Sequence, residues 1–160
     1  MPASPRILVI DGYVRAAREE LAAGGAGVAG DLYVAMLKRV LPGVRCDVLH
    51  PSDPGTAIPS GKALADYDGI AWTGCSLTIY EDTKEVRGQL DLARAAFQAR
   101  VPSFGSCWAA QIAVVAAGGI VRANPAAVAL FGDQGGRGIL GLKPWQPPLS
   151  DPHPEGKAAG

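Results

Sequence analysis

Apolar runs alternate with helical periodicities along the first 124 residues of the chain. The runs predicted as strands are Arg6 to Asp11, Val44 to Leu49, Asp68 to Thr73 and Val101 to Ser106, with a fifth beginning at Ile120 to Arg122. A continuous apolar run is typical of a strand that is buried on both faces, as in a parallel sheet. The pattern therefore predicts a parallel sheet.

Between these strands, apolar residues recur at the spacing of a helix. Asp31 is predicted to cap a helix that stops at Pro42-Gly43 and has the apolar face Leu32, Ala35, Met36 and Val40. Asp82 or Thr83 is predicted to cap a helix with the apolar face Val86, Leu90, Ala93 and Phe97. A third helix follows Cys107 and ends at Gly118-Gly119.

Strands that alternate with helices in this way indicate right-handed βαβ units. The predicted architecture is a three-layer α/β/α sandwich with a mostly parallel sheet. Ligands bind beyond the carboxyl ends of the strands in such sheets, where Asp11, Gly74 and Cys107 are expected to lie. After Asn124 the chain becomes rich in Gly and Pro, so we expect an α/β domain over residues 1–124 and a poorly ordered tail over residues 125–160.

Composition narrows the class of protein. The length of 160 residues predicts one domain, and 15 basic residues balance 15 acidic ones, which argues against a nucleic-acid or membrane-surface partner. Every apolar run is shorter than the roughly 18 residues of a membrane span. The three cysteines lack metal-type spacing and the first residues do not resemble a leader, so we expect a reduced, cytoplasmic protein without a metal or other cofactor.

The segment Gly105-Ser106-Cys107-Trp108-Ala109 carries the candidate chemistry. It follows a strand and precedes a helix, and small residues stand two positions on either side of the cysteine, as a strained nucleophile elbow requires. The N-terminus of the helix is expected to favour the thiolate of Cys107, which is the nucleophilic form. A small, buried core cysteine is the alternative interpretation.

Residues 105–111, GSCWAAQ, resemble the Gly-x-Cys-x-Gly-x-Gln elbow of class I glutamine amidotransferases, with Ala109 in place of the second glycine. Residues 68–74, DGIAWTG, resemble the strand and turn that supply an oxyanion-hole amide in that flavodoxin-like family. The resemblance implies that Cys107 attacks the side-chain amide of glutamine, or of a γ-glutamyl compound, and forms a thioester with release of ammonia. It further implies that Gly74 and Trp108 hold the oxyanion and that Gln111 orients the substrate.

The chain departs from the family pattern at the catalytic base. The family uses a histidine oriented by a glutamate, and His153-Pro154-Glu155 spells that pattern, but it follows Cys107 closely and no strand precedes it. His50 ends the second strand and is interpreted as a turn residue. We therefore expect a chain truncated at its C-terminus, with an incomplete catalytic set. Nothing in the sequence identifies an ammonia acceptor or a synthase partner.

Other functions remain open at this stage. A catalytically inactive binding or regulatory module would explain a missing base, and a cysteine hydrolase of the DJ-1/PfpI type would share the elbow, although Trp108 occupies the place where those proteins carry histidine. Residues 25–30, GAGVAG, with Asp47 downstream, mimic a dinucleotide fingerprint, but the glycines do not follow the first strand directly. Cys75 is expected near Cys107, where an oxidised pair would silence the thiol.

Overall fold

The protein, described here over residues 4–117 of a computed structural model, contains a four-stranded parallel sheet. The strands are β1 (Arg6–Ile10), β2 (Arg45–Leu49), β3 (Gly69–Trp72) and β4 (Ser103–Gly105), and their order is β2-β1-β3-β4. Strand β1 is central: its residue Ile7 pairs with Cys46 of β2 on one side and with Gly69 of β3 on the other. The predicted α/β fold with a mostly parallel, flavodoxin-like sheet is confirmed. The predicted fifth strand and the predicted tail lie outside the described residues.

Five helices connect or follow these strands within the described range. They are α1 (Arg15–Ala23), α2 (Ala29–Val40), α3 (Gly61–Leu64), α4 (Lys84–Gln98) and α5 (Trp108–Ala116). The sequence pattern did not predict α1 or α3. Helix α1 buries none of its residues and its apolar positions are mostly alanine, and α3 is a single turn that Ser60 caps.

The two faces of the sheet carry separate cores, because successive residues of a strand point to opposite sides. One face presents Leu8, Ile10, Ile70 and Trp72 to a large cluster that includes residues of α3, α4 and α5. The other presents Val9 and Ala71 to a small cluster with Leu37 of α2 and Val44. Helices therefore cover both faces, which gives the three-layer arrangement.

Helix α2 is one place where the predicted details were wrong. The helix begins before Asp31, which lies in its first turn, and the N-cap is Val28. The predicted apolar face is exposed: Leu32 retains 57%, Met36 40% and Val40 70% of their accessible surface. The helix instead packs through the neighbouring stripe of Gly30, Tyr33, Val34 and Leu37. Both stripes have helical spacing, so only contact with the sheet distinguishes them.

Helix α4 follows the prediction more closely. Its N-cap is Thr83, whose hydroxyl accepts a hydrogen bond from the Val86 N–H at 3.2 Å. Asp82 instead pairs with Arg87. The buried stripe includes Val86, Leu90 and Ala93, as predicted, whereas Phe97 remains 38% exposed at the end of the helix.

Candidate active site

Cys107 occupies the turn between β4 and α5 in a backbone conformation that is unusual for any residue with a side chain. Its φ is 56° and its ψ is −112°, and its side chain is exposed. A non-glycine residue at positive φ is strained and persists only where the surrounding structure enforces it. The backbone of Cys107 thus has the form of a nucleophile elbow and presents the thiol to solvent.

Gly105 shows why this turn needs small residues. A Cβ added at Gly105 would lie 2.5 Å from the Cβ of Ala109 and 2.6 Å from the carbonyl oxygen of Trp72. Real Cβ atoms do not approach backbone this closely, so no other residue fits at position 105 without displacing the turn. The close approach brings the start of α5 directly against β3 and β4.

Gly74 lies beside the thiol because β3 and β4 are neighbours in the sheet. A Cβ built on Gly74 would lie 3.5 Å from the Cβ of Cys107 and 3.9 Å from its Sγ. The open side of Gly74 therefore faces Cys107. The structure brings these two predicted site residues together.

Trp108 follows the cysteine as the first residue of α5. Its side chain is 1% exposed, and its indole Nε1 donates a hydrogen bond to the Oε1 of Gln89 at 2.8 Å. The N–H groups in the first turn of a helix have no partner within the helix and lie at its positive end. Trp108 directly follows Cys107, so its backbone N–H is one of these first-turn groups of α5.

Gln89 is a buried residue of this region that the sequence analysis did not identify. It is fully buried on α4, and its Nε2 donates to the Gly12 carbonyl oxygen at 3.0 Å and to Ser52 Oγ at 2.9 Å. A signal was present in the sequence, since Gln89 stands three residues after Val86 on the buried stripe of α4. A polar side chain at such a position needs hydrogen-bond partners.

Gly12 also connects to the Gly74 side of the elbow. Its N–H donates to Thr73 Oγ1 at 3.1 Å, and the Thr73 hydroxyl donates to the carbonyl oxygen of Gly74 at 2.8 Å. Thr73 is 1% exposed. The loop after β1 is therefore hydrogen-bonded toward both residues that flank the thiol.

Asp11 lies at the carboxyl end of β1, where ligand-binding residues were expected, but its contacts are structural. Its buried carboxylate accepts hydrogen bonds from the N–H of Gly30 at 3.0 Å and of Tyr13 at 3.1 Å. Gly30 is in the first turn of α2, so Asp11 satisfies a helix N-terminus and its own loop. Asp11 thus supports the fold at the β1 end and makes no hydrogen bond toward Cys107.

His50 follows β2, which is three strands away from β4. At a strand spacing of about 4.8 Å, this places it roughly 14 Å from the elbow. Its Nδ1 lies 3.8 Å from Asp11 Oδ2, and the Asp53 N–H donates to its carbonyl oxygen at 3.1 Å. These contacts agree with the interpretation of His50 as a turn residue.

Of the other predicted site residues, one lies within the described range and two lie outside it. Gln111 lies on α5, one turn after Cys107, and its side chain is exposed. His153 and Glu155 lie outside the described residues, as does the predicted end of α5 at Gly118-Gly119. The geometry therefore joins Cys107, Gly74 and Trp108, with Gln111 on the adjoining helix surface.

Cys75 differs from Cys107 in its surroundings. Burial raises the pKa of the Cys75 thiol to about 11, although the N–H of Leu77 donates to its Sγ at 3.4 Å and opposes the shift. The pKa of the Cys46 thiol is also raised, and burial is again the main cause. Among residues 4–117, Cys107 is the one cysteine classed as exposed.

The glycine-rich segment over residues 25–30 does not have the setting of a dinucleotide site. Helix α1 stands between it and β1, so the glycines do not follow the strand directly. The Asp47 carboxylate is occupied by Arg6, whose NH2 lies 2.6 Å away, and by the Tyr67 hydroxyl, which donates to it at 3.0 Å. The hydrogen bond from Arg6 is the main cause that holds the pKa of Asp47 below its usual value.

Over the part of the chain that the structure describes, no three His, Cys, Asp or Glu side chains are grouped so that they could hold a metal ion. Within residues 4–117, none of the helices is both long and apolar enough to cross a bilayer.

The parallel sheet, the strained cysteine between β4 and α5, and the adjacent Gly74 form an α/β fold with a cysteine elbow, the arrangement expected from the resemblance to class I glutamine amidotransferases. The chain is 36% identical over 116 residues to the gamma-glutamyl-L-1-hydroxyisopropylamide hydrolase of a Pseudomonas species, which confirms the resemblance to this family. The alignment covers 72% of this chain but 39% of the hydrolase. The chain thus spans well under half the length of this relative.

A solved structure also resembles part of the chain. The glutaminase domain of Trypanosoma brucei CTPS with bound acivicin matches with a TM-score of 0.43 and 23% identity. That match covers 71% of this chain and 40% of the other. No family model matches the sequence.

Proposed function

We propose that the protein is a cysteine hydrolase that cleaves the γ-amide bond of glutamine or of another γ-glutamyl compound. The observation that carries this proposal is the strained, exposed Cys107 with the open side of Gly74 beside its sulfur. The hydrolase relative supports the same substrate class, because its name describes a γ-glutamyl amide.

In the proposed reaction, the Sγ of Cys107 attacks the amide carbon and the carbonyl oxygen becomes an oxyanion. The backbone N–H groups of Gly74 and Trp108 stabilise this charge, a contribution typically worth about 10²–10³ in rate per donor. The C–N bond then breaks, ammonia or a primary amine leaves with a proton, and a γ-glutamyl thioester remains. Water hydrolyses the thioester to glutamate and restores the thiol.

The proton steps need a base that takes the thiol proton and returns it to the leaving amine. His153 and Glu155 spell the family pattern for this base and its orienting carboxylate and are the candidate pair, whereas the incomplete catalytic set expected from the sequence would leave Cys107 without a working base. Gln111 is assigned to substrate orientation, since it lies one helical turn beyond Cys107. An inactive binding module with an intact elbow is the competing function, and it predicts substrate binding without turnover.

Single-turnover labelling of the full chain with a diazo-ketone analogue of glutamine tests the proposal. We expect labelling that Cys107→Ala abolishes. Rapid labelling that His153→Ala slows by several orders of magnitude would assign the base to His153, whereas slow labelling would agree with the incomplete catalytic set expected from the sequence. Cys46→Ala is the matched control and should label like the parent. Slow labelling that His153→Ala leaves unchanged would contradict His153 as the base, and labelling that survives Cys107→Ala would contradict the nucleophile.

A second arm distinguishes the leaving groups. Glutamine and a γ-glutamyl alkylamide share the acyl part and differ only in the amine released. Ammonia and primary amine release are therefore measured in parallel with the parent and with Cys107→Ala. Substrate binding without release of either amine would favour the inactive binding module.

A further inference from the structure

We infer that Gln89 is the positioning residue for the oxyanion hole, because it clamps the Trp108 side chain against the loop after β1. Its carboxamide accepts from the Trp108 indole and donates to the Gly12 carbonyl oxygen and to Ser52 Oγ. This inference rests on the proposed function, since the hole it positions belongs to that reaction.

The chemistry of the partners allows one orientation of the Gln89 amide. The Trp108 indole N–H can only donate, and the Gly12 carbonyl can only accept. A side chain that bridges them must therefore carry an acceptor and a donor on the same planar group, as Gln does. Leu supplies neither, Met supplies only a weakly accepting sulfur, and an ionised Glu supplies only acceptors. The requirement is thus for this amide and not simply for a side chain of this volume.

The clamp acts on the backbone because Trp108 joins the strained residue to the helix. Its indole and its backbone N–H share one Cα, directly after Cys107 with its φ of 56°. Strain of this kind holds only where neighbouring groups enforce it. The contact is also tight, since a Cβ on Gly12 would lie 3.0 Å from Trp108 Cδ1 and 3.2 Å from Gln89 Oε1. The hydrogen bond to Gln89 therefore restrains the Trp108 side chain, and through the shared Cα it restrains the backbone N–H that follows Cys107.

Two reactions of the same thiol separate positioning from general damage. Iodoacetamide alkylates the sulfur by displacement at a saturated carbon, so no oxyanion forms. p-Nitrophenyl acetate acylates the sulfur through a tetrahedral oxyanion and releases p-nitrophenolate. Both rates are measured on the full chain for the parent, Gln89→Met, Trp108→Phe and Cys107→Ala. Gln98→Met, an exposed glutamine at the end of the same helix, is the matched control.

We expect Gln89→Met to lower the acylation rate by about tenfold or more while the alkylation rate stays within about twofold, because only acylation needs the oxyanion donors. Trp108→Phe removes the indole N–H but keeps an aromatic ring, and it should show the same selective loss. In the Trp108→Phe background, Gln89→Met should add less than about twofold, since both changes break one hydrogen bond. Gln98→Met should change neither rate.

Several results would overturn the inference. Equal slowing of both reactions by Gln89→Met would reduce Gln89 to a structural residue, as would a full additional loss in the Trp108→Phe background. If Gln89→Met does not fold, Trp108→Phe alone decides, and unchanged acylation there overturns the clamp. Acylation that survives Cys107→Ala would instead overturn the proposed nucleophile and the clamp together.

Discussion

The two faces of the sheet differ in how firmly their helices are held. On the elbow face, α4 and α5 pack over a large cluster that includes Trp72, Leu92 and Trp108, and the buried Gln89 is hydrogen-bonded among them. On the opposite face, α2 contributes Leu37 to a small cluster and leaves Leu32, Met36 and Val40 exposed. The strained cysteine therefore rests on the more densely packed layer.

This difference has a functional reason. A reactive group must be held to within a fraction of an ångström of its working geometry, and residues locked by packing and hydrogen bonds provide that precision. The turn at Cys107 is held by the close packing of Gly105 against β3 and by the hydrogen bond between Trp108 and Gln89. The α2 face carries no comparable demand in the described residues, and its contacts serve mainly to cover the sheet.

A pair of leucine substitutions gives the largest expected contrast between the faces. Leu92→Ala should lower the free energy of unfolding by about 2–5 kcal/mol, because Leu92 is 1% exposed within the elbow-face core. Leu32→Ala on α2 should change it by no more than about 0.5 kcal/mol, since Leu32 is 57% exposed. Urea denaturation followed by circular dichroism measures both. Equal losses would mean that the α2 stripe is buried in the folded protein.

A pair of glycine substitutions sharpens the same comparison within the elbow face. Gly105→Ala should cost about 1–3 kcal/mol, because the new methyl group meets the Trp72 carbonyl oxygen and Ala109. Gly88→Ala on α4 is the control, since a Cβ there meets nothing within 4 Å, and it should stabilise the helix by about 0.5–1 kcal/mol. Thermal unfolding and Cys107 labelling are the measurements. A Gly105→Ala variant with parental stability and labelling would disprove the steric account of the elbow.

The partly buried thiol of Cys75 gives a further expected effect, a pH dependence of the free energy of unfolding. The folded chain holds the Cys75 proton up to about pH 11, whereas an ordinary thiol releases it near 9.0. Between these values the unfolded chain binds fewer protons, so stability is full below about pH 9 and falls as pH rises toward 11. Urea titrations of the parent and Cys75→Ala over this range measure the difference. A parental curve no steeper than that of Cys75→Ala would contradict the raised pKa.

Thiol titration in the same samples addresses the proposed pairing of Cys75 with Cys107. A Cys75 thiol that stays protonated reacts slowly as a nucleophile, because the thiolate is the reactive form. Mild peroxide that removes two thiols in the parent and fewer in Cys75→Ala would support an oxidised pair. An unchanged thiol count would leave Cys75 as a residue that only packs beside the site.

The strands and the elbow were readable because their signals are local. Each strand was predicted within a few residues, since the central strands are buried on both faces and their apolar runs are continuous. Thr83, one of the two predicted caps of α4, was within reach of the sequence because its hydroxyl accepts a hydrogen bond from an N–H only three residues away. Helices α1 and α3 were missed because one buries nothing and the other is one turn long. Locally encoded features were therefore predictable, whereas a helix without buried residues and a single helical turn were not.

By itself, the sequence determined a parallel α/β sheet and a cysteine turn that needs glycine two residues before it, because backbone sterics and burial act over a few neighbouring residues. Only the tertiary structure decided which stripe of α2 faces the sheet, that Asp11 serves the start of α2, and that Gln89 reaches both Trp108 and the loop after β1. Those outcomes depend on contacts between residues 19 to 77 positions apart. The sequence pattern does not show which residues make such contacts, because a polar residue on a buried stripe meets its partner only when the elements pack together.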